Sequence, residues 1–76
     1  MNAQQMQIRE KRNILRELYG GAMTAKDLAS ETGMEPMKAK AWGIEMGIAF
    51  TNHAGGRVYF DTDEFAKIAV KRRGFV

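Results

Sequence analysis

The sequence predicts a mainly α-helical domain that carries one small β-hairpin. Gly33 and Pro36 stand three residues apart between two short helical segments, which is typical of a helix-turn-helix. Residues 3–19 contain neither glycine nor proline and predict a helix ahead of that unit. After Gly47, two segments alternate apolar and polar residues on either side of a glycine-bearing loop, as the strands of a hairpin do.

Length and composition limit what the chain can be. With 76 residues and 45% hydrophobic content it predicts one domain over residues 1–76, with residues 1–3 and 74–76 frayed. It has no cysteine, and its single histidine, His53, cannot build a zinc site alone, so we expect no metal and no cofactor.

The charge and the hydropathy pattern indicate the kind of partner. A net charge of +3 and a pI near 9.5 favour a polyanion, although a slightly basic soluble protein has the same composition. The N-terminal segment has no apolar signal-peptide core, and no apolar run approaches the roughly 18 residues of a membrane span. We therefore expect a cytoplasmic protein with no membrane partner.

The first helix is predicted over residues 3–19. Its inward positions by helical spacing are Ile8, Leu15, Leu18 and Tyr19. Four cations fall mostly off that face, with Glu10 and Glu17 as nearby partners: Arg9, Lys11, Arg12 and Arg16. They form either a solvated surface or contacts to phosphates. Gly20 and Gly21 then end the helix, and Ala22 and Met23 form a short extended link.

The segment from Thr24 to Gly47 is the predicted helix-turn-helix. Thr24 is the N-cap of a second helix over residues 25–32, which turns Leu28 and Ala29 inward. The small Ala29, four residues before the corner, lets two crossing helices approach each other. The outward positions of this helix are Lys26, Asp27 and Glu31.

The third helix, residues 36–46, has apolar residues on all sides, so two registers compete. The first turns Ala39 and Trp42 inward together with Met34 and Met46, and it exposes Met37, Lys38, Lys40, Ala41 and Ile44. The second buries Met37, Ala41, Ile44 and Ile48 and exposes Trp42. We favour the first, because burying indole removes more apolar surface from water than burying a methionine. Gly43 indicates either a close packing contact or an early helix end.

The hairpin is predicted over residues 48–52 and 57–61. Alternation turns four residues toward the helices, namely Ile48, Phe50, Val58 and Phe60, and turns three outward, namely Thr51, Arg57 and Tyr59. Asp61, with Glu64 three residues later, caps a last helix whose inward residues are Phe65, Ile68 and Ala69. That helix ends in the cations Lys71, Arg72 and Arg73.

The order helix, helix, turn, helix, hairpin, helix is that of a winged helix-turn-helix. The segment 23–71 resembles the small DNA-binding domains of phage and transposon excisionases and of MerR-type regulators. One shared motif is Met23, Thr24, Asp27, Leu28 and Ala29, and a second is Gly55, Gly56 and Arg57 followed by Asp61 to Phe65. Thr32 departs from the pattern, since that position is usually apolar. The leading helix is also similar to MarR-like and ArsR-like winged helices, so the subfamily stays open.

The resemblance implies that helix 36–46 enters the major groove and that the wing, residues 51–58, lies on the flanking groove or backbone. Lys38 and Lys40 can neutralise phosphates or donate to guanine, and Arg57 suits a narrow minor groove. Each of these side chains is otherwise an ordinary solvated group. The candidate DNA contacts, with Lys26 of the second helix, are Lys26, Met37, Lys38, Lys40, Ala41, His53 and Arg57.

Two functions compete at this point. The first is a DNA-binding protein of phage or mobile-element type, acting as a transcription regulator or as an excisionase-like accessory factor in recombination. Its partners would be double-stranded DNA, a second copy or a cooperative array, and a protein such as an integrase. The alternative is a protein-interaction module that docks through Met37, Ala41 and Ile44 or through the first helix. An enzyme is not expected, because the chain lacks cysteine and a phosphate-cradling loop.

Overall fold

The computed structural model describes residues 2–51 and 56–72, which contain four helices and a small three-stranded antiparallel sheet. The helices are α1 Ala3–Tyr19, α2 Ala25–Thr32, α3 Pro36–Glu45 and α4 Thr62–Arg72. The strands are β1 Ala22–Met23, β2 Ala49–Thr51 and β3 Val58–Asp61. The predicted fold class, mainly helical with a small β element, is confirmed at this level. None of the described helices is long and apolar enough to cross a membrane.

The corner between α2 and α3 is built as the sequence predicts. Thr24 accepts a hydrogen bond from the Asp27 backbone N–H, and the Asp27 carboxylate accepts one from the Thr24 N–H, both at 3.1 Å. At the other end Gly33 has φ 75° and ψ 10°, a left-handed conformation that favours glycine, and its N–H donates to the Ala29 carbonyl. Pro36 occupies the first turn of α3, where a missing N–H costs nothing.

The polar residues of α2 are less solvated than predicted. Asp27 and Glu31, predicted to face outward, are half-buried and have partners. Glu31 accepts a 2.6 Å hydrogen bond from the Tyr19 hydroxyl. Thr32 is buried, and its hydroxyl donates to the Leu28 carbonyl at 2.9 Å. This back-bond satisfies the hydroxyl within the helix, so a threonine fits a position that is usually apolar.

The sheet has one strand more than predicted. Ala22 and Met23, interpreted as an extended link, form β1 and pair with β3, so that Met23 lies opposite Phe60 and Ala22 opposite Asp61. The strand order is therefore β1–β3–β2. Two residues are too few to display the alternation by which a strand is recognised, and only the long-range pairing defines this one.

The prediction that Phe50 faces the helices is wrong. In the register of the hairpin Ala49 lies opposite Phe60 and Phe50 lies opposite Tyr59. Directly opposed residues share one side of a sheet, so the fully buried Phe60 brings Ala49 inward and Phe50 falls on the outer side, 43% exposed. Regular pairing begins only at Ala49, after the left-handed Gly47, so Ile48 and Ala49 both face the core.

The core includes a close contact between Gly43 of α3 and Phe60 of β3. The buried apolar residues are Leu15, Met23, Leu28, Ala29, Ala39, Ile48, Phe60, Phe65 and Ala66. Gly43 is buried against them, and a Cβ there would overlap the Phe60 ring and lie 3.1 Å from Leu28 Cδ2. Of the two explanations for this glycine, close packing is confirmed, because α3 continues past it to Glu45.

The helix α1 packs mainly on α4 and uses a narrower stripe than predicted. Leu15 is fully buried, and Ile8 and Tyr19 are half-buried, as expected. Leu18 is 63% exposed, so its predicted inward position is wrong. It lies about 100° around the helix from Tyr19, outside the stripe that residues 8, 15 and 19 form.

Two cations of α1, Arg16 and Lys11, join it to other elements. Arg16 donates two hydrogen bonds to the Asp63 carboxylate of α4, at 2.8 and 2.6 Å. Lys11 lies 3.6 Å from Glu31 of α2. The predicted local partners, Glu10 and Glu17, make none of the ion pairs found among the described residues.

The start of α4 is tied to the end of α1. Asp61 accepts a hydrogen bond from the Glu64 N–H at 3.1 Å, as the predicted cap requires. Thr62 is fully buried, and its hydroxyl donates to the Gly20 carbonyl at 2.9 Å. Phe65 is buried as expected, and so is Ala66, which was not predicted.

Candidate nucleic-acid interface

The inner side of α3 determines which residues it presents to solvent. Ala39 is fully buried, and Trp42 packs edge-to-face on Phe65 with ring centroids 6.1 Å apart and an interplanar angle of 85°. The first of the two predicted registers is therefore confirmed. Met46 is an exception, since it is 44% exposed; the helix ends at Glu45, and Met46 is its C-cap residue and not part of the inward stripe.

The competing register is wrong, because residues that it would bury are exposed. Met37 is 84% exposed and Ile44 is 53% exposed, so neither belongs to the core. Ile48, which that register also buries, is indeed buried, but it lies beyond the helix at the entrance to β2.

The outer side of α3 is a solvent-exposed face that we call the α3 face. Its members are Met37, Lys38, Lys40, Ala41 and Ile44. Helical spacing puts an apolar strip of Met37, Ala41 and Ile44 along the middle, with one lysine on each side. Within the described residues, neither lysine forms an ion pair with an acidic group. Both ammonium groups are therefore available to an external anion.

The charge around the α3 face is nevertheless close to neutral. Residues 24–47 contain three lysines and four carboxylates, a net charge of −1, whereas the rest of the chain carries nine cations and five acids. Glu35 at the start of α3 and Glu45 at its end are both exposed. A polyanion bound along α3 would therefore need cations from elsewhere in the domain.

The remaining candidate residues lie on other elements. Lys26 is exposed in the first turn of α2. Arg57 is exposed immediately before β3 and follows Gly56, whose φ of 66° is left-handed. His53 lies outside the described residues. The structure thus brings together four of the candidate residues on the α3 face: Met37, Lys38, Lys40 and Ala41. Lys26 and Arg57 lie elsewhere, on α2 and just before β3.

Sequence reasoning missed one feature of this region. Phe50 and Tyr59 stack across the hairpin, with ring centroids 6.2 Å apart and an interplanar angle of 30°. Alternation counted from Ile48 placed the two rings on opposite sides of the sheet. No local pattern in the sequence indicates this arrangement, because it depends on the pairing of β2 with β3, which begins at Ala49.

Two ionisable groups of the described chain have shifted pKa values, and both join α1 to another helix, Tyr19 to α2 and Arg16 to α4. The hydrogen bond to Glu31, helped by burial, raises the pKa of Tyr19 above its ordinary value. The two hydrogen bonds to Asp63 raise the pKa of Arg16. Both shifts belong to structural contacts and not to groups that exchange protons at neutral pH. Within the described residues, no group of three or more acidic, histidine or cysteine side chains could hold a metal ion.

Comparison with known proteins returns no match: no protein-family model, no curated protein and no solved structure is significantly similar to the chain.

Proposed function

We propose that this protein is a winged helix-turn-helix that binds double-stranded DNA, with α3 in the major groove and the wing on the flanking groove or backbone. On this proposal it is a binding protein of phage or mobile-element type, a transcription regulator or an excisionase-like accessory factor, and not an enzyme. The proposal includes a second copy, a cooperative array or an integrase-like partner, since one small domain buries limited surface on DNA.

The observation that carries this proposal is the α3 face. A helix whose other side is closed by Ala39, Gly43 and Trp42 presents two lysines with no acidic partner among the described residues. An α-helix fits the major groove, where lysine donates to guanine and apolar groups contact the thymine methyl. Thr24 and Gly33 support the same interpretation, because they cap the two ends of α2 and so set where the chain turns into α3.

Charge determines how strong this contact can be. Because residues 24–47 carry a net charge of −1, the α3 face supplies few phosphate contacts on its own. Arg57 adds a cation from a different element, and it is exposed. We therefore expect binding that depends on salt and discriminates only modestly between base sequences.

The test is a titration of labelled duplex DNA followed by fluorescence anisotropy at several salt concentrations. Wild-type affinity should fall steeply as salt rises, with a slope of about 0.9 for each phosphate neutralised. The variant Lys38→Ala combined with Arg57→Ala should bind about tenfold more weakly, and its slope should fall by about 2. The control for the loss of one charge is Lys67→Ala on α4, which removes an exposed cation that pairs with Glu64, and it is compared with Lys38→Ala alone.

Two results would contradict the proposal. The first is wild-type binding that does not respond to salt. The second is a Lys67→Ala variant that loses as much affinity as Lys38→Ala alone, because net charge would then explain the loss. Circular dichroism of each variant excludes unfolding as the cause.

A second function is favoured by the exposure of the apolar strip. Met37 and Ile44 leave an apolar surface on α3, and such a surface also suits a protein partner. On this alternative the domain docks onto another protein through Met37, Ala41 and Ile44. Met37→Glu would then abolish capture of that partner while leaving the domain folded, and DNA binding would be weak and independent of salt.

A further inference from the structure

The outer side of the hairpin carries an exposed pair of aromatic rings. Phe50 of β2 and Tyr59 of β3 are directly opposed in the register, so both point away from the helices. Their stacking stabilises the hairpin as cross-strand aromatic pairs do. That role does not require exposure, yet Phe50 keeps 43% of its surface in solvent.

An exposed cation lies close to this pair along the chain. Arg57 immediately precedes β3 and stands two residues before Tyr59, so the two Cα atoms are at most about 7 Å apart. The hairpin therefore offers a flat apolar ring and a nearby positive charge to neighbouring groups of a single ligand. We call Phe50, Tyr59 and Arg57 the aromatic platform.

We propose that the aromatic platform binds an unpaired nucleobase, which stacks on Phe50 while Arg57 contacts the adjoining phosphate. The proposal rests on the proposed function, since it takes the partner to be nucleic acid. In an intact duplex the faces of the bases are covered by their neighbours, and only base edges and phosphates face outward. A flat ring therefore has no matching surface on a duplex, whereas an unpaired base offers a free face.

The consequence is a preference for DNA that is opened or frayed beside the duplex site. The α3 face would hold the paired segment, and the aromatic platform would hold a base beyond it. Stacking of one base on one aromatic side chain predicts about a five- to tenfold gain in affinity, at the lower end of what such contacts contribute.

The test compares three labelled DNAs by fluorescence anisotropy: a blunt duplex, the same duplex with a short overhang of unpaired thymines, and the thymine strand alone. Wild type should bind the overhang duplex about five- to tenfold more tightly than the blunt duplex. Phe50→Leu should bring the two affinities within about twofold and leave blunt-duplex affinity unchanged, and Phe50→Tyr should keep the preference. The matched control is Met46→Leu, because Met46 is 44% exposed and lies outside the platform.

The outcomes separate this proposal from the proposed function. Salt-dependent binding of the blunt duplex without any preference for the overhang overturns the aromatic platform and leaves duplex binding intact. Preference that survives in Phe50→Leu also overturns it. If no DNA binds in a salt-dependent way, both proposals fail. If Phe50→Leu does not fold, the wild-type preference and its retention in Phe50→Tyr decide the question.

Discussion

The two sides of α3 differ in how closely they are packed and in how far they are exposed to solvent. On the inner side Gly43 packs so closely on Phe60 and Leu28 that a single added carbon would overlap a ring. On the outer side Met37 is 84% exposed and contacts little of the domain. One side therefore tolerates almost no change in volume, and the other tolerates nearly any.

This difference indicates which side carries the fold and which is free to carry a function. Residues that hold α3 in place are small or aromatic and fit one another by shape. Residues on the α3 face are exposed, and neither of its lysines forms an ion pair within the described chain.

We expect Gly43→Ala to destabilise the domain by about 1 to 3 kcal/mol, although alanine is the better helix former. The added methyl group would overlap the ring of Phe60, which is fully buried. Urea unfolding measures the loss. Gly21→Ala is the control, because a Cβ at Gly21 meets nothing within 4 Å.

A double variant sharpens this prediction. In a Phe60→Leu background, part of the ring is gone and Gly43→Ala should cost less, or should even stabilise the domain. Strictly additive effects of the two substitutions would show that the overlap with Phe60 is not the reason for the glycine.

A smaller effect on stability is expected at the hydrogen bond that joins α1 to α2. Tyr19→Phe removes the hydroxyl that donates to Glu31 and should cost about 1 kcal/mol. Because the pKa of Tyr19 is raised in the folded state, this contribution is fully present below the ordinary tyrosine pKa. It is lost as the pH rises through the raised pKa.

The measurement combines urea unfolding at a series of alkaline pH values with a tyrosinate absorbance titration. The difference in stability between wild type and Tyr19→Phe should shrink as the pH rises, and the variant should lack the titration step of raised pKa. A difference that stays constant with pH would contradict the assignment of the hydrogen bond.

The smallest effect is expected on the α3 face. Met37→Glu should change the free energy of unfolding by less than about 0.5 kcal/mol, because the side chain is exposed and makes no described polar contact. Thermal unfolding checks this. A clear loss of stability would mean that Met37 is covered in the folded protein, and the contrast between the two sides of α3 would fail.

Local signals predicted the local structure well. The N-cap at Thr24, the left-handed Gly33 and the proline at the start of α3 each depend on neighbouring residues, so both ends of α2 and the start of α3 follow from the sequence. The register of α3 also follows, because the burial of one indole outweighs that of a methionine.

The misplaced residues depend on contacts between distant segments. Phe50 was misplaced because the pairing of β2 with β3 begins at Ala49, and Leu18 was misplaced because α4 covers only a narrow stripe of α1. The strand β1 exists only through its partner β3. Of the candidate site, the exposed side of α3 was predictable from periodicity, whereas the aromatic platform required the register of the hairpin.

The hydrogen bond from Thr62 to Gly20 has a consequence for the order of assembly. It joins the end of the first helix to the start of the last, and β3, the middle strand of the sheet, comes from the same late part of the chain. While the ribosome is still translating the residues before 58, α1 lacks its main packing partner and β1 lacks the strand with which it pairs. Docking of the N-terminal third must therefore wait until β3 and α4 have emerged from the ribosome.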